Sequence, residues 1–527
     1  MSWRTEELPA RYNAAADFLD GNLEAGRGGK TAIRTPDGGA WTYAEVAEAA
    51  NRWGNALGEL GVEIENRVLM AVLDSPAFAA TFWGTIKTGA VPVPVNTNLT
   101  PQDYAYLLDD SRARVAVVSQ ELADRIRAVR PGLRWLRHLV VIGEAGPGEQ
   151  SHAELVAAAS PMLEHAGTSR DDGCFWLYSS GTTGSPKGTV HLQHDMRVCT
   201  ELYAKPVLRM DERDITFSVA KLYFAYGLGN ALYFPFGVGA TTVLAAGPPT
   251  PAAVFDVVTR CRPTLYFAVP TSYAATLAAD PELWAQADFS SVRASVSAGE
   301  PLSGSILERW RARTGSAILD GIGSTEGCHI FISNRLDDVR PDSSGMVVEG
   351  YAARVVGDDG RPVPDGEVGN LVVSGDSICA GYWNQHERTK RTIQGEWIHT
   401  GDKYIRRPDG SFVYQGRSDD MMKVGGIWVS PTEVEATINT HDAVLECAVI
   451  GVIDEERLVQ PEAYVVLRPD VSGGIELELQ LRDHVRARLA HYKCPRAFHF
   501  VTGLPKTATG KIQRFRLREA HAPTAPD

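Results

Sequence analysis

The chain has 527 residues, 44% of them hydrophobic and 22% charged, a globular balance in a chain too long for one core and so built of at least two domains. Its formal net charge of −13 argues against a general nucleic-acid binder, although a local basic patch could still take up the phosphates of a cofactor. Met1 to Asp20 carries charges and no apolar signal core, and no apolar run approaches membrane-spanning length, so a cytoplasmic protein with no membrane partner is expected.

From Val68 onward, apolar runs alternate with helical patterns. Val68 to Leu73 reads as a strand, and Pro76 to Thr88 as a helix with proline in its first turn and Gly89 as its stop. Val115 to Val118, Leu139 to Ile142, Cys174 to Tyr178, Ile215 to Val219 and Leu265 to Val269 repeat the strand pattern. Such alternation predicts an α/β fold with a large N-terminal domain of parallel, doubly wound sheets. Pro408-Asp409-Gly410 is a turn signal, and beyond Gly416 the pattern becomes a smaller α+β one. It comprises a helix after Ser430-Pro431, strands at Ala448 to Ile453 and Ala463 to Leu467, and a helix from about Glu476 to Leu489. The expected domains are therefore 1–416 and 421–527, joined by residues 417–420, with a frayed Ala/Pro-rich end from Glu519.

Seven cysteines lie scattered, the nearest two 25 residues apart, without zinc spacing, as expected of reduced thiols. His191-x-x-His194 has no companion ligands beside it, so a structural or surface role is the better reading. The hydrolase elbow G-x-S-x-G is absent.

The most informative run is Tyr178-Ser179-Ser180-Gly181-Thr182-Thr183-Gly184-Ser185-Pro186-Lys187-Gly188. A strand feeding a loop of glycines and hydroxyls with one lysine offers N–H groups, O–H donors and a cation to one anion, typically a polyphosphate. It fits neither the P-loop nor the dinucleotide fingerprint. Further along stand Ser297-Ala298-Gly299-Glu300-Pro301, then Asp320-Gly321-Ile322-Gly323-Ser324-Thr325-Glu326-Gly327. His399-Thr400-Gly401-Asp402 is followed by Gly416-Arg417-Ser418-Asp419-Asp420, then Lys423-Val424-Gly425-Gly426. Near the end is Pro505-Lys506-Thr507-Ala508-Thr509-Gly510-Lys511.

In this order, over most of the chain, these segments resemble the motifs of the adenylate-forming superfamily: acyl-CoA synthetases, peptide-synthetase adenylation domains and luciferases. The resemblance implies a small, mobile C-terminal domain. It implies ATP contacts from Ser179, Ser180, Gly181, Thr182, Thr183, Gly184 and Lys187, and from Ala298, Gly299, Glu300 and Pro301. It implies further ATP contacts from Asp320, Gly321, Ile322, Gly323, Ser324 and Thr325, with Asp320 against the adenine amino group and Ile322 where many relatives stack an aromatic. Glu326 would ligate Mg²⁺, and Asp402 and Arg417 would meet the ribose. Lys511 would serve adenylation, Asp419 would be the hinge, and Lys423, Gly425 and Gly426 would open a tunnel for coenzyme A.

Lys221 to Asn230, rich in aromatics and glycines, together with Cys328-His329-Ile330-Phe331, is similar to the benzoate–CoA ligase branch. By position Ala225, Tyr226, Gly227, His329 and Ile330 would surround an aryl ring, with Tyr223 and Phe224 divided evenly between pocket and core. The activity implied is ATP-dependent ligation of an aromatic acid, benzoate or a hydroxybenzoate, to coenzyme A through an acyl-adenylate, releasing AMP and pyrophosphate. Loading of a carrier-protein thiol is the alternative, and a non-catalytic nucleotide-binding protein is disfavoured by the presence of both Glu326 and Lys511. ATP, Mg²⁺, coenzyme A and a small aromatic acid are the expected partners, with a homodimer left open. Such chemistry sets a carboxylate against an anionic phosphate, a repulsion of ~4 kcal/mol at 4 Å and an effective dielectric near 20, which cations and oriented donors must offset.

Overall fold

The apolar run at Val68 forms the strand Arg67–Ala71, whose last four residues are wholly enclosed, as a strand covered on both faces must be. It lies second in a five-stranded sheet ordered Val91–Pro94, Arg67–Ala71, Val115–Ser119, His138–Ile142 and Gln150–Ser151, with every pairing parallel. The computed structural model describes residues 3–179, 186–418, 420–424, 427–453, 459–506 and 512–521. Packing groups the chain into two units, Met1–Ala352 with Ser374–Ile398, and Ala353–Val373 with His399–Asp527.

The first unit also holds a nine-stranded sheet. Its parallel centre runs Ile318–Gly323, Ala294–Ser297, Leu265–Ala268, Ile215–Ser218, Thr241–Val243 and Thr31–Arg34, and the outer strands are antiparallel. Phe217, Tyr266, Tyr273 and Trp310 pack its core. A third, antiparallel sheet of Gly173–Ser179, Lys187–Leu192 and Gly381–Tyr382 carries the phosphate-loop candidate. The doubly wound α/β expectation therefore holds.

Helix Pro76–Lys87 starts where the sequence signals it. Ser75 Oγ accepts the Phe78 N–H at 3.3 Å, and Pro76 occupies a first-turn position that needs no donor. Lys87 at its end is 3% exposed, and its ammonium is met by Asp20 and Asn51 at 2.8 and 2.7 Å. The helix crosses Tyr43–Glu59 at a pair of glycines. A Cβ on Gly84 would stand 2.3 Å from the Ala50 carbonyl oxygen, and one on Gly54 would stand 3.1 Å from that of Gly84.

The second unit resumes at His399, within strand Trp397–Arg406, which forms with Phe412–Arg417 an antiparallel hairpin that pairs Asp402 with Arg417. The turn Arg407 to Gly410 joins them, with Gly410 at φ 85°. Val444–Ile453, Val459–Leu467 and Ala497–Phe500 form a three-stranded sheet, against which Pro431–Ile438 and Ile475–Arg486 pack through Val434, Ile438, Leu481 and Val485. This is the smaller α+β pattern expected. Packing places this hairpin from His399 onward with the second unit, ahead of the boundary expected at 417–420. Among the described residues no helix is long and apolar enough to cross a membrane. All seven cysteines are free thiols.

The glycine crossing yields a stability test. Gly84→Ala drives a methyl group into backbone, where no side chain can yield, so it should lower unfolding free energy by about 1–3 kcal/mol. Thermal denaturation of the purified variant measures this, and an unchanged midpoint would show that the two helices part without cost.

Candidate active site

Strand Gly173–Ser179 delivers the phosphate-loop run, and strand Lys187–Leu192 receives it, with Ser179 and Lys187 as cross-strand partners. The ends of the run are thus held opposite each other. Tyr106 Oη donates to the Pro186 carbonyl at 2.9 Å. Ser180, Gly181, Thr182, Thr183 and Gly184 lie outside the described residues.

Lys187 reaches across to the second motif. Its Nζ lies 2.8 Å from Glu326 Oε1 and 2.7 Å from Tyr382 Oη, and the tyrosine hydroxyl donates to the same carboxylate oxygen at 2.7 Å. Burial alone would push the Glu326 carboxyl up. The Lys187 ammonium, with its hydrogen bond and that from Tyr382, outweighs burial and holds the carboxyl at about 2. The glutamate is therefore a fixed negative charge at neutral pH.

The backbone of that turn is anchored as well. Cys379 N–H donates to the Glu326 carbonyl at 2.8 Å, and His191 Nε2 donates to the Thr325 carbonyl at 2.8 Å. His191 Nδ1 meets Asp195 Oδ2 at 2.7 Å, with both side chains fully enclosed. His194 meets the carbonyls of Arg170 and Asp376 at 2.8 and 3.1 Å. The structural reading of the His191/His194 pair holds, and both residues are interior rather than on the surface.

Ala298, Gly299, Glu300 and Pro301 follow strand Ala294–Ser297, and Asp320 to Gly323 close the neighbouring parallel strand. Both segments lie at strand C-terminal ends, the side on which open parallel sheets present ligand sites. Gly299 has φ 92°, a backbone that excludes most side chains. A Cβ on Gly323 would stand 2.2 Å from the His329 carbonyl oxygen. Ser297 and Asp320 are cross-strand partners, and Ser297 Oγ and Asp320 Oδ1 are buried without a hydrogen bond among the described residues. Burial pushes the Asp320 carboxyl well up.

On the other flank, helix Ala225–Leu228 carries Ala225, Tyr226 and Gly227. A Cβ on Gly227 would meet the Lys221 carbonyl oxygen at 2.1 Å, so the segment folds back on itself only with glycine there. The Tyr226 ring lies 5.6 Å from that of His329, and its hydroxyl donates to the Val296 carbonyl at 3.0 Å. His329 is ringed by Tyr203, Tyr226 and Phe234, and its Nε2 donates to Asn230 Oδ1 at 3.1 Å. Ile330 follows it, buried, at the start of strand Ile330–Ser333. Burial pushes the His329 imidazole down to about 3, so the ring is neutral. Tyr223 is buried in edge contact with Phe224, and Phe224 is half-buried.

In the second unit, Arg417 donates to Asp402 Oδ1 and to the Thr400 carbonyl, both at 3.0 Å. Gly401 between them has φ 76°, and a Cβ there would press on the Arg417 guanidinium at 2.7 Å. Lys423 lies on strand Met422–Val424. Asp419, Gly425, Gly426 and Lys511 lie outside the described residues.

Tyr382, His191, Asp195 and Asn230 were not singled out as site residues by sequence reasoning. Lone tyrosines and histidines in apolar strands carry no local signal, and only the third strand of the sheet brings Tyr382 to Glu326. Among the described residues no group of three or more His, Cys, Asp or Glu could hold a metal ion, so any cation at Glu326 would draw most of its ligands from elsewhere.

Residues 22–383 match the model of the AMP-binding enzyme family, and residues 433–511 match that of the AMP-binding enzyme C-terminal domain. This chain belongs to the AMP-binding enzyme family. It is 52% identical to the benzoate–CoA ligase of Thauera aromatica, over 98% of this chain and 97% of that one. Among solved structures it resembles the anthranilate CoA ligase AuaEII in complex with anthranoyl-AMP, at 46% identity and a TM-score of 0.94, covering 98% of this chain and 99% of that one. A benzoate CoA ligase from Burkholderia xenovorans LB400 matches at 45% identity and a TM-score of 0.89, over 96% of this chain and all of that one. The resemblance read from the motifs is thereby borne out.

The neutral state of His329 has a consequence for stability. Its folded value lies below the ordinary 6.5, so this contribution is complete above that pH and is lost as pH falls towards 3. From pH 7 to pH 5 the loss is about 2 kcal/mol, at 1.36 kcal/mol per unit below 6.5. His329→Gln should remove that component. Denaturant melts of both proteins at pH 7 and pH 5 test it, and equal pH sensitivity would place the acid lability elsewhere.

Proposed function

We propose that the chain is an ATP-dependent aromatic acid–CoA ligase. The carboxylate oxygen of an aryl acid attacks the α-phosphorus of ATP and expels pyrophosphate. The thiol of coenzyme A then displaces AMP from the mixed anhydride. The observation that carries this reading is 52% identity, spanning both chains almost entirely, to a benzoate–CoA ligase.

Each group near the site has a task on this reading. Ser179, Lys187 and the run between them bind the phosphates. The segment Ala298 to Pro301 lines the adenine, whose amino group donates to the buried Asp320. Gly321, Ile322 and Gly323 keep the backbone close to the nucleotide, while Ser324 and Thr325 turn it towards the phosphates. Asp402 and Arg417 take the ribose. Ala225, Tyr226, Gly227, His329 and Ile330 form a neutral, flat-walled pocket for the ring.

Mg²⁺ suits Glu326, an ionised hard-oxygen donor. This ion is commonly held by one or two carboxylates together with substrate phosphates and water. When bound with the nucleotide, it would neutralise phosphate charge. Lys511 does the same for the acid and α-phosphate during adenylation. Rotation at Asp419, within 417–420, then withdraws Lys511 and brings Lys423, Gly425 and Gly426 to the acyl-adenylate for coenzyme A. The protein acts in the cytoplasm without nucleic-acid or membrane partners, and a homodimer is compatible with this chemistry.

A panel of aryl and aliphatic acids, assayed for AMP release with and without coenzyme A, tests the substrate class. Benzoate or a simple hydroxybenzoate should be used best, small cyclic relatives less well, and acids beyond about eight carbons hardly. An open channel would add ~0.8 kcal/mol per methylene, so specificity constants rising from hexanoate to dodecanoate and passing benzoate would refute the aryl assignment. AMP release that coenzyme A does not accelerate would point to a carrier-protein acceptor instead.

The two half-reactions separate the mobile residues. Lys511→Ala should slow acyl-adenylate formation by roughly two to three powers of ten, as loss of one preorganised charge-stabilising group does, and leave transfer from supplied acyl-adenylate far less affected. Asp419→Pro fixes φ near −65° and should do the reverse. Equal losses in both half-reactions for either variant would overturn its assigned role.

A further inference from the structure

The Glu326 carboxylate is gripped through one oxygen. Lys187 and Tyr382 both bind Oε1, and no side chain among the described residues reaches Oε2. The triangle closes through the Lys187–Tyr382 bond of 2.7 Å. In it the hydroxyl accepts from the ammonium and still has its own proton for the carboxylate. The ammonium also rests 4.2 Å from the centre of the Tyr382 ring.

The two donors differ in what they can hold. Lysine is a point charge on a flexible stem. Tyr382 is a rigid ring on a strand paired to the one that carries Lys187, with Tyr382 opposite Thr189, and its own N–H donates to Thr389 Oγ1 at 3.0 Å. A neutral hydroxyl fixes a carboxylate oxygen without cancelling its charge, and does so whether or not the ammonium stays bound. The Cys379 and His191 bonds to the carbonyls of Glu326 and Thr325 immobilise the backbone beneath it.

We propose that Tyr382 is a positioning residue for Glu326: its hydroxyl commits Oε1 to the protein and so presents Oε2 to the divalent cation that accompanies the nucleotide. The inference rests on the reading of Glu326 as cation ligand given above. It assigns Tyr382 to the adenylation half-reaction alone, because transfer to coenzyme A moves no pyrophosphate.

Tyr382→Phe removes the hydroxyl and keeps the ring beneath Lys187. With Mn²⁺ as probe, paramagnetic-resonance titration of the full chain carrying a non-hydrolysable ATP analogue should show roughly tenfold or greater loss of cation affinity, the usual effect of removing an outer-shell partner. KM for the metal–ATP complex should rise, while the melting temperature and transfer from supplied acyl-adenylate to coenzyme A stay near wild type. Unchanged Mn²⁺ affinity, or an equal loss in both half-reactions, overturns the proposal. If Tyr382→Phe does not fold, Thr389→Val decides: it loosens the strand at Tyr382 and should weaken Mn²⁺ binding in the same direction, and unchanged affinity again overturns it. Glu326→Gln run in parallel keeps the two readings apart. If it loses the cation while Tyr382→Phe retains it, only the positioning role fails. If Glu326→Gln also retains the cation, the assignment of Glu326 fails with it.

Discussion

The ion pair of Lys187 and Glu326 is the constraint around which the first unit is arranged. Their side chains are 16% and 14% exposed, so each charge is largely removed from water and depends on the other. Deleting one partner of such a pair strands a buried charge at a cost of about 3–5 kcal/mol, whereas the intact pair contributes far less than its Coulomb attraction suggests. The pair is therefore best understood as a device for specifying geometry. It ties the strand that leaves the phosphate-loop run to the turn that ends the parallel sheet, two parts of the chain 139 residues apart.

From that pair outward the site changes character. At its ionic end stand an ammonium, an ionised carboxylate and a tyrosine hydroxyl that burial keeps protonated. At its other end His329 is neutral among aromatic rings, with one nitrogen donating to Asn230. On the proposed reading this gradient follows the substrates: polyphosphate at one end, an uncharged ring at the other, and the reacting carboxylate between them. A charged imidazole at the ring end would cost burial energy and return nothing to an apolar ligand.

The sequence was legible wherever a local rule decides the structure. Parallel strands such as Val115–Ser119 are enclosed on both faces, so they appear as unbroken apolar runs. Gly227, Gly299 and Gly323 were picked out by the motif resemblance, and the structure supplies the physical reason, since a Cβ or an ordinary φ is excluded at each. Tyr382 carried no signal, and His191 was read only as structural, for the opposite reason. Their importance lies in bonds spanning 56 and 134 residues, between side chains of unremarkable type. The span of the second unit was hidden similarly: its hairpin Trp397–Arg406 with Phe412–Arg417 precedes the change of composition and joins the later residues through tertiary packing alone.

Within the second unit, a buried network decides what can move independently. Arg514 binds Glu435 through two nitrogens, Nε at 3.0 Å and Nη2 at 2.7 Å, and approaches Asp420 at 3.4 Å, while Arg518 holds the other oxygen of Asp420 at 2.9 Å. Glu435 is 6% exposed and also accepts the Val449 N–H at 2.7 Å, so the core sheet is part of the clamp. Asp420 immediately follows the proposed hinge residue, and Arg514 stands three positions after the proposed adenylation lysine. Opening the network would strand buried charge, which is far costlier than rotating one backbone bond outside it. The clamp therefore holds Asp420, Glu435, Arg514 and Arg518 together with the core sheet as one body.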